Sequence, residues 1–293
     1  MIYLIDASVY VFRAYYSVPD DMVDANGAQT NAVYGFARFL LDLLQTSNAS
    51  HAAVAFDESL TTSFRNEIYP QYKANREPAP EELKRQFAWC KRVAQGLGLR
   101  TVAHERFEAD DLIGTLAHAA RAQAVNTVIV TRDKDLAQLI TPGDEFFDFA
   151  GGRRITHDQI NEVFGTAPER IADYLALTGD SVDNIPGVPG IGKKTAGAIF
   201  DRYASLDEVY AHLDDLHELP IRGARTLSKK LSEHRDAAYL AQRLTRIHLE
   251  APVDTDIAAS ERRPIDHAAL ATLFDELDFG AFLRTRVAKL SDA

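Results

Sequence analysis

The chain has 293 residues, of which 46% are hydrophobic and 26% charged, a composition typical of a soluble globular protein long enough to bury a core. A single cysteine, Cys90, excludes an intrachain disulfide, and no apolar run approaches the ~20 residues of a membrane span. No signal peptide is expected, because the first residues carry no basic stretch and soon reach Asp6, so a cytoplasmic location is predicted. The net charge of −11 does not exclude a nucleic-acid partner, because nine basic residues oppose five acidic ones between residues 61 and 106.

The first half of the chain alternates strand and helix patterns. Apolar runs predict strands over 2–6, 51–57, 100–103, 126–131 and 145–149. Helical spacing of apolar residues predicts helices over 31–44, 80–97 and 109–122. This alternation predicts an α/β fold with a mostly parallel central sheet and helices on both faces.

Beyond about residue 156 the pattern becomes wholly helical. Helices are predicted over 158–164, 168–178, 194–202, 206–211 and 227–244. The expected organisation is an α/β core over 1–157, a helical subdomain over 158–250, and a C-terminal helical segment over 251–293 that packs on the core.

The segment from 60 to 80 does not fit the alternation. It is polar and basic, with interleaved aromatic residues at Phe64, Tyr69 and Tyr72. Such a mixture favours a segment that handles nucleic acid. An ordinary solvated connection whose aromatic rings pack down explains the same pattern equally well.

Nine carboxylates fall in five short clusters, most of them where a strand meets a loop or helix: Asp6, Asp57, Glu108 with Asp110 and Asp111, Asp133 with Asp135, and Asp180 with Asp183. Any one cluster is more often a helix cap or a turn. Together they should converge, because the carboxyl ends of parallel strands meet at one edge of a sheet. Acids so close would raise each other's pKa, and hard oxygen ligands select Mg²⁺ or Mn²⁺. We therefore expect a metal-dependent enzyme acting on phosphate esters.

The stretch 184–195, with the sequence NIPGVPGIGKKT, predicts a tight hairpin before a helix. Gly190 and Gly192 leave backbone N–H groups accessible, and Lys193 and Lys194 add positive charge at the helix start. This helix-hairpin-helix pattern is typical of proteins that hold the DNA backbone without reading bases. A fainter second unit contains Arg222 and Arg225, which indicate either another phosphate contact or a solvated basic face.

These motifs resemble the bacterial 5′-3′ exonuclease and flap endonuclease family, which includes the N-terminal nuclease domain of DNA polymerase I. The resemblance covers nearly the whole chain, through Asp6 and the segments TNAVYGF, AVAFD, FRNEIYPQYKANR, EADD, TRDKD and GDSVDNIPGVPGIGKKTA. Two departures are Ala7, where many relatives have glycine, and Thr62, where many have a basic residue. The resemblance implies a PIN-like nuclease core, a helical arch over about 60–98, and a monomer. The chain is expected to be either a free-standing nuclease or an excised domain, and the start at Met1 with the tail over 287–293 favours the former.

The implied activity is structure-selective hydrolysis of DNA at 5′ ends, nicks and 5′ flaps, with two Mg²⁺ ions that Mn²⁺ can replace. By resemblance, the first ion is held by Asp6, Asp57, Glu108 and Asp110, and the second by Asp133, Asp135, Asp180 and Asp183. Lys73 and Arg76 would neutralise the scissile phosphate, Tyr72 would stack on a base, and Asp111 would be a nearby or bridging acid. K⁺ would bind backbone carbonyls at Val188 and Ile191 in the hairpin.

Two other functions are compatible with parts of the pattern. A non-catalytic module that binds DNA flaps would keep the hairpin, but it should lack some of the nine acids, and none is missing. A single-strand RNA nuclease could use the same acid cluster, but would not need the glycine hairpin and its following helices.

Overall fold

The computed structural model describes residues 1–58 and 62–290, which contain a six-stranded sheet in the order β3-β2-β1-β4-β5-β6. The strands are β1 Ile2–Asp6, β2 Ala52–Asp57, β3 Arg100–His104, β4 Thr127–Val130, β5 Glu145–Asp148 and β6 Arg153–Thr156. All neighbouring pairs are parallel except β5 and β6. The predicted α/β class with a mostly parallel sheet is confirmed.

The α-helices of the described residues are α1 Ala7–Ser17, α2 Asn31–Ser47, α3 Phe64–Ile68, α4 Glu81–Gly96, α5 Ala109–Ala122, α6 His157–Phe164, α7 Ile171–Thr178, α8 Lys193–Arg202, α9 Leu206–Ala211, α10 Leu227–Glu233, α11 Arg235–Thr245, α12 His267–Glu276 and α13 Ala281–Lys289. None of them is long and apolar enough to cross a membrane. The predicted helix over 227–244 is wrong in one respect, because it is divided into α10 and α11 at His234.

The sheet separates two hydrophobic clusters, because alternate residues of a strand point to opposite faces. Ile2 and Leu4 belong to the cluster that contains α5 and most of the helical region from 160 onward. Tyr3 and Ile5 belong to the other cluster, together with α1, α2, α4, α12 and α13. Helices therefore cover both faces, and the C-terminal helices lie on the core rather than on the helical subdomain.

The segment predicted as an arch, over about 60–98, contains α3, a connection over 69–80 and α4 where it is described; positions 60 and 61 lie outside the described residues. The connection is held against the loop that follows α7. Asn184 Nδ2 donates to the Gln71 carbonyl at 2.7 Å, and the Lys73 N–H donates to the Asp183 carbonyl at 2.9 Å. These bonds bring the basic segment to the acids at 180–183.

Candidate active site

Three of the predicted acids follow adjacent strands at the carboxyl edge of the sheet. Asp6 is the last residue of β1, Asp57 the last of β2, and Asp133 lies just after β4. Since β1 lies between β2 and β4 with all three parallel, their ends lie side by side. The start of α5, with Glu108 and Asp110, lies at the same edge, because the Ala109 N–H donates to Asp57 Oδ1 at 2.8 Å. The sheet topology thus brings together acids that are far apart in sequence.

The pKa values show how strongly these acids affect one another. Burial, then the charge of Asp57, raises the pKa of Asp6 to about 7, against a hydrogen bond from Thr131. Burial, then the charges of Asp133, Asp6 and Asp57, raises the pKa of Asp110 well above its ordinary value. Buried carboxylates that lie close together repel one another, which favours either their protonation or the binding of a cation.

A second group of acids lies beside the first. Burial, then the charge of Asp133, raises the pKa of Asp135 to about 7, and burial also raises the pKa of Asp133 itself. Asp180 behaves differently: although burial raises its pKa, the hydrogen bond and charge of Lys134 lower it below the ordinary value. Lys134 Nζ donates to Asp180 Oδ2 at 2.8 Å.

Lys73 and Arg76 reach the acids from the connection before α4. Lys73 Nζ donates to Glu108 Oε2 at 2.9 Å, and the Arg76 guanidinium pairs with Asp183. Burial alone would raise the pKa of Glu108, but Lys73 and Arg65 hold it at about 2. Lys73 has φ of +56°, a conformation uncommon for a residue with a side chain, so this turn is fixed by its surroundings.

The site fits divalent cations on two observations. Glu108 Oε1 and Asp135 Oδ1 are buried without a hydrogen-bond partner, which leaves acceptors for a further ligand. The eight predicted ligands also supply only hard carboxylate oxygens, the donors that Mg²⁺ and Mn²⁺ prefer. Across residues 1–58 and 62–290, however, no three His, Cys, Asp or Glu side chains already form a group that could hold an ion. Asp57 instead accepts from Ser8 Oγ at 2.6 Å, and Asp6 accepts from Thr131 Oγ1 at 2.8 Å.

Asp111, predicted as a nearby or bridging acid, is held by Arg65 beside Glu108. Its side chain is fully buried and pairs with Arg65 through two bonds, from Nη1 at 2.7 Å and from Nη2 at 2.8 Å. It also accepts from the backbone N–H of Glu108 at 3.1 Å and of His248 at 2.9 Å. These bonds fix the start of α5, and the catalytic role of Asp111 stays a prediction.

Arg65 is the main residue that the sequence interpretation missed. Besides Asp111, its Nε donates to the Leu244 carbonyl at 2.8 Å, at the end of α11. It therefore joins α3, α5 and the helical subdomain through one buried side chain. In the sequence Arg65 is one of several basic residues in its segment. Its partners lie 46 and 179 residues away, so no local pattern indicates its role.

Tyr72, predicted to stack on a base, is buried beside the acids. The side chain is only 3% exposed, and its hydroxyl donates to Glu108 Oε2 at 3.0 Å and lies 3.2 Å from Asp183 Oδ2. Its ring belongs to the hydrophobic cluster that contains α5. Of the two interpretations of the aromatic residues in this segment, packing against the core is the one that the structure supports.

The glycine hairpin follows directly after Asp183. Its first turn packs so closely on the end of α7 that a Cβ at Gly187 would lie 2.4 Å from backbone atoms of Thr178 and Gly179. Gly190 has φ of +76°, and Gly192 is the N-cap of α8. Lys193 and Lys194 begin α8 and are exposed, so the free N–H groups of the helix start and both ammonium groups face solvent together.

The remaining predicted contacts lie around this hairpin. Val188 and Ile191 are buried side chains whose backbones form the turn, with the Ile191 N–H donating to the Val188 carbonyl at 3.0 Å. Arg222 and Arg225 are exposed and flank a second turn at Gly223, which leads into α10. The Lys230 ammonium group of α10 lies close to Gly190, so α10 approaches the hairpin.

The chain matches two family models along most of its length. Residues 1–165 match the N-terminal resolvase-like domain of 5′-3′ exonucleases, and residues 166–268 match their C-terminal SAM fold. The boundary between the models falls just after α6, eight residues beyond the predicted limit of the core at 157.

Individual relatives agree with these matches. The chain is 41% identical over 281 residues to DNA polymerase I of Pseudomonas aeruginosa, covering 96% of the chain but 31% of the polymerase. It thus spans about a third of the length of the polymerases it matches. A 5′-3′ exonuclease of Buchnera aphidicola is 32% identical over 252 residues, covering 86% of this chain and 87% of the relative.

A solved structure shares the fold. The T5 5′-exonuclease with bound divalent metal ions superposes with a TM-score of 0.66 at 20% identity, over 99% of this chain and 98% of that one. At this identity the likeness establishes the architecture, while the family models and the relatives establish descent. The chain belongs to the 5′-3′ exonuclease family.

Proposed function

We propose that this chain is a metal-dependent nuclease that hydrolyses phosphodiester bonds of DNA at 5′ ends and 5′ flaps and selects its substrate by structure. The observation that carries the proposal is the cluster of buried acids at the carboxyl edge of the sheet, with raised pKa values at Asp6, Asp110 and Asp135. The protein hairpin that we expect to hold the DNA backbone begins at residue 184, directly after Asp183 of the same cluster. Membership of the 5′-3′ exonuclease family agrees with both features.

The acids divide into two sets that would each hold one Mg²⁺ or Mn²⁺ ion: Asp6, Asp57, Glu108 and Asp110 for the first, and Asp133, Asp135, Asp180 and Asp183 for the second. The unsatisfied oxygens of Glu108 and Asp135 provide one acceptor in each set. Two such ions supply Lewis-acid stabilisation of the phosphate and a more acidic water. A structure of the T5 5′-exonuclease, which shares the fold, contains divalent metal ions.

The basic residues at the cleft neutralise and orient the scissile phosphate. Lys73 and Arg76 now pair with Glu108 and Asp183, so each cation lies at the boundary of the acid cluster. A phosphate that enters here meets two donors already held in place by the bonds between 71–76 and 181–184. Donors that need no rearrangement contribute most to stabilising charge in a transition state.

The hairpin holds the duplex part of the substrate. The exposed start of α8, with Lys193 and Lys194, offers backbone N–H groups and ammonium groups to phosphates. Arg222 and Arg225 extend this surface from the second turn. We place K⁺ at the carbonyls of Val188 and Ile191; duplex affinity should then be higher in K⁺ than in tetramethylammonium at equal ionic strength, and equal affinity would exclude a K⁺ site.

A substrate panel tests the proposal and its alternatives. The protein is incubated with a 5′ flap, a nicked duplex, a blunt duplex and a single strand of DNA, and with an RNA flap on the same duplex. We expect cleavage near the flap junction in Mg²⁺ or Mn²⁺ and none in EDTA. Binding of the flap without cleavage in either metal would identify a non-catalytic module, and preferred cleavage of single-stranded RNA would identify an RNA nuclease.

A further inference from the structure

One lysine lies among the acids of the second set, between two segments that are distant in the chain. Lys134 follows Asp133 directly and begins a 3₁₀ helix, Lys134–Leu139. Its Nζ donates to Asp180 Oδ2 at 2.8 Å, in the loop after α7. The same Nζ lies 3.5 Å from Asp135 Oδ1. A single ammonium group therefore lies against carboxylates of both segments that contribute to this set.

The oxygens that this ammonium group faces are the ones left over by the other bonds of the two acids. Asp135 Oδ1 is buried and accepts no hydrogen bond from the described residues. Asp180 Oδ1 accepts from the N–H groups of Val182 and Asp183, at 2.8 and 3.4 Å, which leaves Oδ2 to the lysine. Free carboxylate oxygens of this kind are the acceptors that a divalent cation prefers.

The ammonium group of Lys134 can leave these acids at little cost. Its side chain is 52% exposed, and an ion pair at such exposure contributes little to stability, because water screens it. The side chain also lines a cavity of about 380 Å³ beside α7, into which the ammonium group can turn. Lys73 differs, since its side chain is only 10% exposed where it donates to Glu108. Of these two lysines, Lys134 is therefore the one that can exchange with a cation.

We infer that Lys134 is a counter-ion that weakens the binding of a divalent cation to the second set of acids. The inference rests on the proposed function, because it takes these four acids as metal ligands. A unit charge beside a divalent cation changes the affinity of that cation by about tenfold even with the screening of bulk water. The lysine thus makes metal uptake at the second set depend on the negative charge that the DNA phosphates bring.

The test measures Mn²⁺ binding to the whole protein without DNA, from the electron paramagnetic resonance signal of the free ion. Lys134→Met should raise the affinity for one Mn²⁺ about tenfold and leave the affinity for the other within about threefold. Lys134→Arg keeps the charge and should bind Mn²⁺ like the unaltered protein. Lys229→Met is the matched control, because Lys229 pairs at 3.7 Å with Glu233, which is outside the nine acids.

Lys134→Gln keeps a polar side chain and repeats the measurement if the methionine variant does not fold. The Mg²⁺ concentration that gives half-maximal flap cleavage should fall in the same variants. Unchanged or weaker Mn²⁺ binding in Lys134→Met and Lys134→Gln would overturn the inference, as would an equal gain in Lys134→Arg or in the control. Failure of the proposed function would be seen separately, as absence of metal-dependent cleavage of an ordinary 5′ flap by the unaltered protein.

Discussion

Replacing Arg65 by methionine should strongly destabilise the protein, because it leaves a buried charge without its counter-ion. The carboxylate of Asp111 is fully buried and would keep only two donors, the backbone N–H groups of Glu108 and His248. The Leu244 carbonyl would also lose the Arg65 Nε donor. Removing one partner of a buried ion pair typically costs about 3–5 kcal/mol of unfolding free energy.

Urea unfolding followed by circular dichroism at pH 7 in EDTA measures this loss. Adding Asp111→Asn to Arg65→Met removes the unpaired charge, so the double variant should be about 2 kcal/mol more stable than the sum of the single changes predicts. Arg106→Met is the matched control: Arg106 pairs with Glu67 through Nε and Nη2 at 2.8 and 2.9 Å, but both side chains are more than half exposed. It should leave the unfolding free energy unchanged. A loss for Arg65→Met no greater than that of the control, or strict additivity with Asp111→Asn, would refute the reasoning.

Three further outcomes are expected. Lys73→Ala should slow single-turnover flap cleavage by about 100-fold, as for loss of one preorganised donor, and a change below threefold would contradict its role at the phosphate. Gly187→Ala should lower the unfolding free energy by about 1–3 kcal/mol because of its backbone clash, whereas Gly192→Ala, with open space around it, should cost less than about 1 kcal/mol through its effect as the N-cap of α8. In EDTA the unfolding free energy should fall as the pH rises from about 4 to 7, because Asp6 and Asp135 have pKa values of about 7 in the fold and 3.8 ordinarily, so the folded state binds more protons in that window. Mg²⁺ should flatten this slope in denaturant titrations, and a rise of stability with pH in EDTA would contradict the shared burial of these acids.

The parts of the site that could be predicted from sequence are those set by strand ends. Asp6 and Asp57 close apolar runs that could only be strands, and Asp133 follows a third run, so sheet topology alone placed them together. The glycine hairpin was equally readable, because glycine and proline restrict the backbone locally. These patterns depend only on residues that are close in sequence, so they can be recognised without a structure.

The parts that could not be predicted depend on contacts between distant segments. Asp110 and Asp111 are equivalent in the sequence pattern. In the structure Asp111 pairs with Arg65 of another helix, whereas Asp110 lies near the charges of Asp133, Asp6 and Asp57. Tyr72 likewise carries the composition of a stacking residue, yet its hydroxyl satisfies Glu108. Helix α1 was missed because its aromatic and β-branched residues weaken the helical signal directly after a strand.

The most direct test of the account is the position and metal dependence of flap cleavage by the unaltered protein beside Asp133→Asn. Asparagine keeps an oxygen for the 2.9 Å bond from the Asp135 N–H, so the loop should hold its shape while one buried charge is lost. The unaltered protein should cut a labelled 5′ flap near its junction in Mg²⁺, and the variant should bind the flap with similar affinity but not cut it. Equal cleavage by both proteins, or cleavage by either in EDTA, would contradict a nuclease that works through metal ions at this acid cluster.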